Sequence, residues 1–159
     1  MKSLKRFDIR NRDYFITCVT YDRRGILTAS TDLFLSCWNR IELIAWVVLP
    51  DHFHAIVSVG DKSISEIMHI FKVRYSRRFR DMYSPGRVWQ NRFWDHMIRD
   101  QVDMNRHLDY VHYNPVKHGL VNQPSNWELS SFHDYNTSGY YDSDWGRVEP
   151  QGLEGEYGE

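Results

Sequence analysis

Hydrophobic and polar positions alternate in blocks that predict a short series of elements. Tyr14-Phe15-Ile16-Thr17-Cys18-Val19-Thr20-Tyr21 is β-branched and aromatic and closes on Asp22-Arg23-Arg24-Gly25, the signature of a strand running into a turn. Thr31 or Asp32 then caps a helix with apolar positions Leu33, Phe34, Cys37, Trp38 and Ile41. Ile44 to Leu49 reads as a second strand, and Pro50-Asp51 links it to a third that runs from His52 to about Val59, most simply as an antiparallel hairpin. Ser63 or Ser65 caps a long helix with Glu66 in its first turn and Ile67, Ile70, Phe71 and Tyr75 on its apolar side, ending near Met82 before Ser84-Pro85-Gly86. A fourth strand is expected over Phe93–Ile98. Asp100 then caps a helix through Met104, Leu108 and Val111, expected to stop near Asn114 because proline disfavours helical geometry in the residue before it. Trp127 to Tyr135 looks like a segment that packs back on the body.

Strand, helix, strand, strand, helix, strand, helix is the βαββαβ plan with one helix added. The expected class is α+β, a ferredoxin-like or RRM-like antiparallel sheet with helices on one face. At 159 residues the chain suits one domain with a real core. No apolar run approaches the roughly 18 residues a membrane span needs. The basic start, Met1 to Arg6, lacks the apolar core of a signal peptide, which argues for the cytoplasm. Cys18 and Cys37 lie far apart in apolar surroundings and read as buried thiols.

Net charge, −1 overall, conceals a division: residues 1–120 hold 19 Lys and Arg against 13 Asp and Glu, whereas residues 121–159 hold 1 against 8. A basic body with an acidic appendage suits a polyanion ligand, although a merely solvated surface would look the same. Lys72, Arg74, Arg77, Arg78 and Arg80 crowd the second half of the long helix, interleaved with aromatics. At 100° per residue they spread around the helix, so only some can face one ligand.

Candidate chemistry sits in Leu49-Pro50-Asp51-His52-Phe53-His54. On a strand, His52, His54 and Ile56 share a face, which places two imidazoles about 7 Å apart at Cα, close enough to share one divalent ion. For His-x-His alone, a packing detail is the commoner explanation. Tyr110 and Asn114, four apart on a helix, also share a face at about 6 Å. An amide oxygen can be a third ligand for a hard cation, and a neighbouring tyrosine can reach a substrate that the ion holds.

Taken together, Leu49-Pro50-Asp51-His52-Phe53-His54, then Trp89-Gln90-Asn91-Arg92-Phe93-Trp94-Asp95-His96, then His107-Leu108-Asp109-Tyr110-Val111-His112-Tyr113-Asn114-Pro115-Val116-Lys117-His118-Gly119, resemble the REP-associated tyrosine transposases, single-tyrosine members of the HUH superfamily. The resemblance covers roughly residues 10–135. Length and composition suggest a single domain over residues 1–146 with an acidic, flexible tail over 147–159, Gly- and Glu-rich with nothing to pack. The resemblance implies metal ligands His52, His54 and Asn114 for Mg²⁺ or Mn²⁺, and Tyr110 as nucleophile, with Tyr113 the nearest rival. It further implies single-stranded or hairpin DNA at repetitive extragenic palindromes as partner, cleaved and rejoined through a 5′-phosphotyrosine, and a monomer, although some relatives exchange the tyrosine helix as dimers. Lys72, Arg74, Tyr75, Arg77, Arg78 and Arg12 are the leading DNA contacts, with Lys5, Arg6 and Arg10 beside them, and the tail is expected in the basic groove when DNA is absent. Two other readings compete: a catalytically silent nucleic-acid-binding module on the same fold, and a metal-dependent hydrolase in which Tyr110 is structural.

Overall fold

Strand β1 (Asp13–Val19) lies between β3 (His52–Ser58) and β4 (Trp94–Met97), and β2 (Glu42–Val48) completes an antiparallel sheet of order β2-β3-β1-β4. This order belongs to a ferredoxin-like βαββαβ chain. The computed structural model describes residues 9–159, so Lys5 and Arg6 lie outside the described residues.

β1 and β3 are the central strands, and almost every residue in them is buried. Side-chain alternation gives each strand two jobs. Tyr14, Ile16 and Cys18 of β1, with Phe53, Ala55 and Val57 of β3, join the core beneath α1 (Thr31–Ser36) and α2 (Ile64–Met82). Phe15 and Ile56 face the opposite way, into a second core beneath α3 (Gln101–Lys117). The register pairs Thr17 with His54 and Val19 with His52, so both histidines stand on the α3 face. Helices α1 and α2 thus share one face, as the plan requires, and the tyrosine helix closes the other.

Local chemistry explains the boundaries. Ser63 caps α2 in a full capping box with Glu66. Ser30, one residue before the expected cap, accepts from the Leu33 amide and starts α1, which is a single short helix that does not reach Ile41. Asp100 accepts from the Asp103 amide and starts α3. Asp103, nearly fully buried, then accepts from the Arg99 amide and from Arg99 Nε and lies 2.8 Å from His96 Nε2 on β4, which ties the first turn of α3 to the sheet.

α3 does not end before Pro115. It runs through to Lys117, with His118 N donating to Asn114 O at 3.0 Å and Leu120 N to Pro115 O at 2.9 Å. Proline there removes one hydrogen bond, and with only two residues left in the helix the chain bears that cost.

Downstream, Trp127 to Tyr135 returns to the body as expected, along the free edge of β2. Ser130 pairs with Val47, the Val48 amide donates to Leu129 O, and the Trp46 amide donates to Ser131 Oγ. A final helix, α4 (Phe132–Thr137), follows. An open strand edge is a site of unwanted pairing, and this segment covers it. No helix among the described residues is long and apolar enough to cross a membrane.

Candidate active site

Four side chains that lie far apart along the chain meet over the α3 face of β3. His52 and His54 rise from the sheet with ring centroids 5.0 Å apart, and Tyr110 and Asn114 descend from α3, with the Tyr110 ring 5.3 Å from that of His54. All four residues are at most 3% exposed.

Hydrogen bonds on the outer nitrogens set the state of each imidazole. His52 Nδ1 donates to Asp51 Oδ1 at 2.7 Å, which leaves Nε2 as the free lone pair. The Thr17 hydroxyl gives its one proton to the Tyr157 carbonyl at 2.5 Å, so its contact of 2.7 Å with His54 Nδ1 must be an acceptance from the ring. His54 Nε2 is then a lone pair as well, and burial holds this imidazole down at about 4, neutral at physiological pH. For His52, burial favours the neutral ring, but the carboxylates of Glu159 and Asp51 outweigh it and raise the pKa.

Both lone pairs point into one small space. His52 Nε2 is buried there without a hydrogen-bond partner, and Asn114, whose Nδ2 reaches into the same space, has its Oδ1 buried and unpartnered as well. Orphaned buried acceptors are rare in proteins, and two imidazole nitrogens with an amide that can turn its oxygen toward them make a donor set suited to a divalent cation. The residues present therefore fit a metal ion, and the outer partners Asp51 and Thr17 are the second layer such ligands usually carry.

The acidic segment ends in this space. Its expected freedom from the body is not observed, nor does it lie along the cations of α2. Tyr157 stacks on Tyr110 with centroids 3.5 Å apart and planes 7° from parallel. Glu159 Oε1 lies 2.5 Å from His54 Nε2, 3.5 Å from His52 Nε2, and accepts from Asn114 Nδ2 at 2.8 Å. Its Oε2 accepts from Lys117 Nζ at 2.8 Å and lies 3.1 Å from His118 Nε2. Burial opposes the charge on Glu159, yet its contacts with the His118, His52 and His54 rings hold its carboxyl far below the usual range. Tyr110 is shifted the other way: burial first, then the Glu159 carboxylate, push its phenol well above the usual range.

Tyr113 is out of phase with this group and lies beside Gly146 instead. The expected DNA contacts scatter. Lys72 and Arg77 line a groove with Arg80, Arg87 and Trp89 on the α2 side of the sheet, and Lys72 donates to Gln90 O at 2.6 Å. Arg74 lies on another flank with Arg40 and Lys62, and Arg78 donates to Ser36 Oγ. Arg12 is exposed, five residues from Thr17 along β1 and hence about 17 Å away. Tyr75 is a correction: at 1% exposed, it packs between Phe71, Phe79 and Trp89 and has no face to offer a base. It sits on the apolar stripe of α2, which its spacing from Phe71 already indicated. Lys117, His118 and Glu159 were not anticipated at the site. Lys117 and His118 follow from the continuation of α3, whereas nothing local in the sequence brings Glu159 there.

The sequence profile described as "Transposase IS200 like" matches residues 11–114. The chain belongs to the IS200-like transposases. Within that family, a REP-associated tyrosine transposase of Escherichia coli strain K12 is 34% identical to this transposase over 91% of each chain. A Haemophilus influenzae protein named for the same group is 33% identical over 92% of this chain and 94% of its own. The solved structure of a REP-associated tyrosine transposase bound to a REP hairpin superposes with a TM-score of 0.86 at 31% identity, covering 100% of this chain and 98% of that one. These likenesses place the transposase in the REP-associated tyrosine branch.

Proposed function

We propose that this transposase cleaves and rejoins single-stranded DNA at hairpin-forming repetitive palindromes through a 5′-phosphotyrosine on Tyr110. The observation that carries the reading is the convergence of His52 Nε2, His54 Nε2 and the Asn114 amide on one oxygen of Glu159, beside Tyr110, the tyrosine in phase with Asn114.

His52, His54 and Asn114 would hold Mg²⁺ or Mn²⁺, which when bound polarises a phosphate and offsets the charge that builds during its displacement. The chain's own residues do the rest. Asp51 and Thr17 keep the two imidazoles in the tautomer that presents Nε2. The helix, anchored by Asp103 at one end and by His112 on Ser131 and Tyr141 near the other, holds the Tyr110 hydroxyl against the site.

Glu159 and Tyr157 stand where a phosphate and a base would have to enter, so the form described is closed and the acidic segment leaves when DNA binds. The hairpin itself is assigned to the groove of Lys72, Arg77, Arg80 and Arg87, where cations and an exposed edge of the sheet domain can contact backbone phosphates.

Incubation with a labelled hairpin oligonucleotide and Mn²⁺ tests this. A covalent protein–DNA adduct that is lost with EDTA and in Tyr110→Phe is the expected result. Binding without cleavage would return the silent-module reading, and cleavage that survives Tyr110→Phe the hydrolase.

A further inference from the structure

The continuation of α3 past Pro115 has a chemical consequence. Tyr110, Asn114 and Lys117 stand at i, i+4 and i+7, one face of the helix. Had the helix stopped at Asn114, Lys117 would have no fixed relation to the tyrosine. Instead Lys117 Nζ donates to Tyr110 Oη at 2.8 Å and lies 4.7 Å from the centre of its ring. His118, the next residue, turns toward Glu159 and His52. The Lys117 side chain is 44% exposed, so it borders the mouth of the site while its ammonium reaches inward to a hydroxyl whose residue is 2% exposed.

We propose that Lys117 is a catalytic residue of the strand-transfer reaction: its ammonium holds the Tyr110 oxygen in place and offsets the negative charge on that oxygen as it attacks or leaves phosphorus. The proposal rests on the reading of Tyr110 as the nucleophile. In cleavage the Tyr110 Oη–P bond forms and the P–O3′ bond breaks with its electron pair going to O3′. The phenol proton passes to solvent and O3′ takes one from solvent, so the net change is a proton moved from tyrosine to the new 3′-hydroxyl. Lys117 keeps its own protons throughout. In rejoining, the 3′-oxygen attacks, the Tyr110 oxygen leaves, and the same ammonium faces the same developing charge. A phenol, with a pKa of about 10, is a poor nucleophile at neutral pH and its phenolate a poor leaving group, so a preorganised cation at that oxygen acts where the barrier is set. In the closed form Lys117 also donates to Glu159, and departure of the acidic segment leaves the tyrosine as its remaining partner.

The test uses the full chain carrying Glu159→Gln, so that the acidic segment's hold on Lys117 is weakened equally in every variant. Rates of adduct formation and of strand rejoining are measured in single turnover with a hairpin oligonucleotide and Mn²⁺, alongside the hairpin dissociation constant. Lys117→Met should slow both steps by about a hundredfold, the size expected for one preorganised donor to a developing oxyanion, with hairpin affinity unchanged. Lys117→Arg, which keeps the charge, should recover most of the rate. Unchanged rates in Lys117→Met, or equal losses in Lys117→Met and Lys117→Arg, would overturn the proposal. An adduct that persists in Tyr110→Phe would instead overturn the reading beneath it.

Discussion

Each histidine of the site is held by a neighbour that decides which nitrogen faces inward, and that makes the outer partners testable. His52→Ala or His54→Ala should abolish cleavage while an electrophoretic shift still shows hairpin binding, because the cations of the α2 groove lie on the other face of the sheet. Asp51→Ala frees the His52 ring to turn, and cleavage or Mn²⁺ affinity should fall by roughly 10- to 100-fold, the usual cost of losing such a partner. The grouping of these side chains was legible in the sequence. Strand parity puts His52 and His54 on one face whatever packs above, and helical phase does the same for Tyr110 and Asn114. Tyr75 misled because aromatic and basic residues interleave on α2, and only the packing beneath shows that its ring belongs to the core.

The elements show where local rules give way to tertiary ones. The rule that a helix stops before proline failed in α3, whose last turn is held by the His118, Gly119 and Leu120 amides. The acidic segment failed the opposite way: a composition of Gly and Glu with little to pack predicts freedom, but Tyr157 and Glu159 supply one stacking and one ionic anchor. Its docking depends on Gly158, where φ is +79° and an added Cβ would overlap the Trp94 side chain. Gly158→Ala should therefore release the segment and raise the rate of hairpin cleavage, and an equal or lower rate would count against its guarding role. α3 carries a pH dependence as well. Burial holds His112 down at about 3, where its ring contacts Tyr141 and Ser131. The unfolded chain takes up a proton there near pH 6.5 and the folded one does not until about pH 3, so this group makes the fold less stable as pH falls between those values. Denaturant titrations should show wild type losing about 1.4 kcal/mol more per pH unit than His112→Gln near pH 4.5.

For the molecule as a whole, one sheet separates the residues proposed for binding from those proposed for cleavage. Its α2 face carries the cationic groove and its α3 face the histidines and the tyrosine, so binding and cleavage should be separable by mutation. The βαββαβ order was readable from the periodicity, although α1 and β4 are shorter than their patterns suggested. The side of the sheet taken by the third helix, and the closure of the site by residues more than forty positions further along, were not, because both are set by packing across the fold. The central claim is that Tyr110, and no other tyrosine, becomes joined to DNA. Trypsin digestion of the covalent adduct, with tandem mass spectrometry of the peptide from His107 to Lys117, tests it most directly, since that peptide holds both Tyr110 and Tyr113. The account predicts the nucleotide on Tyr110; a nucleotide on Tyr113, or on a peptide elsewhere in the chain, would contradict it.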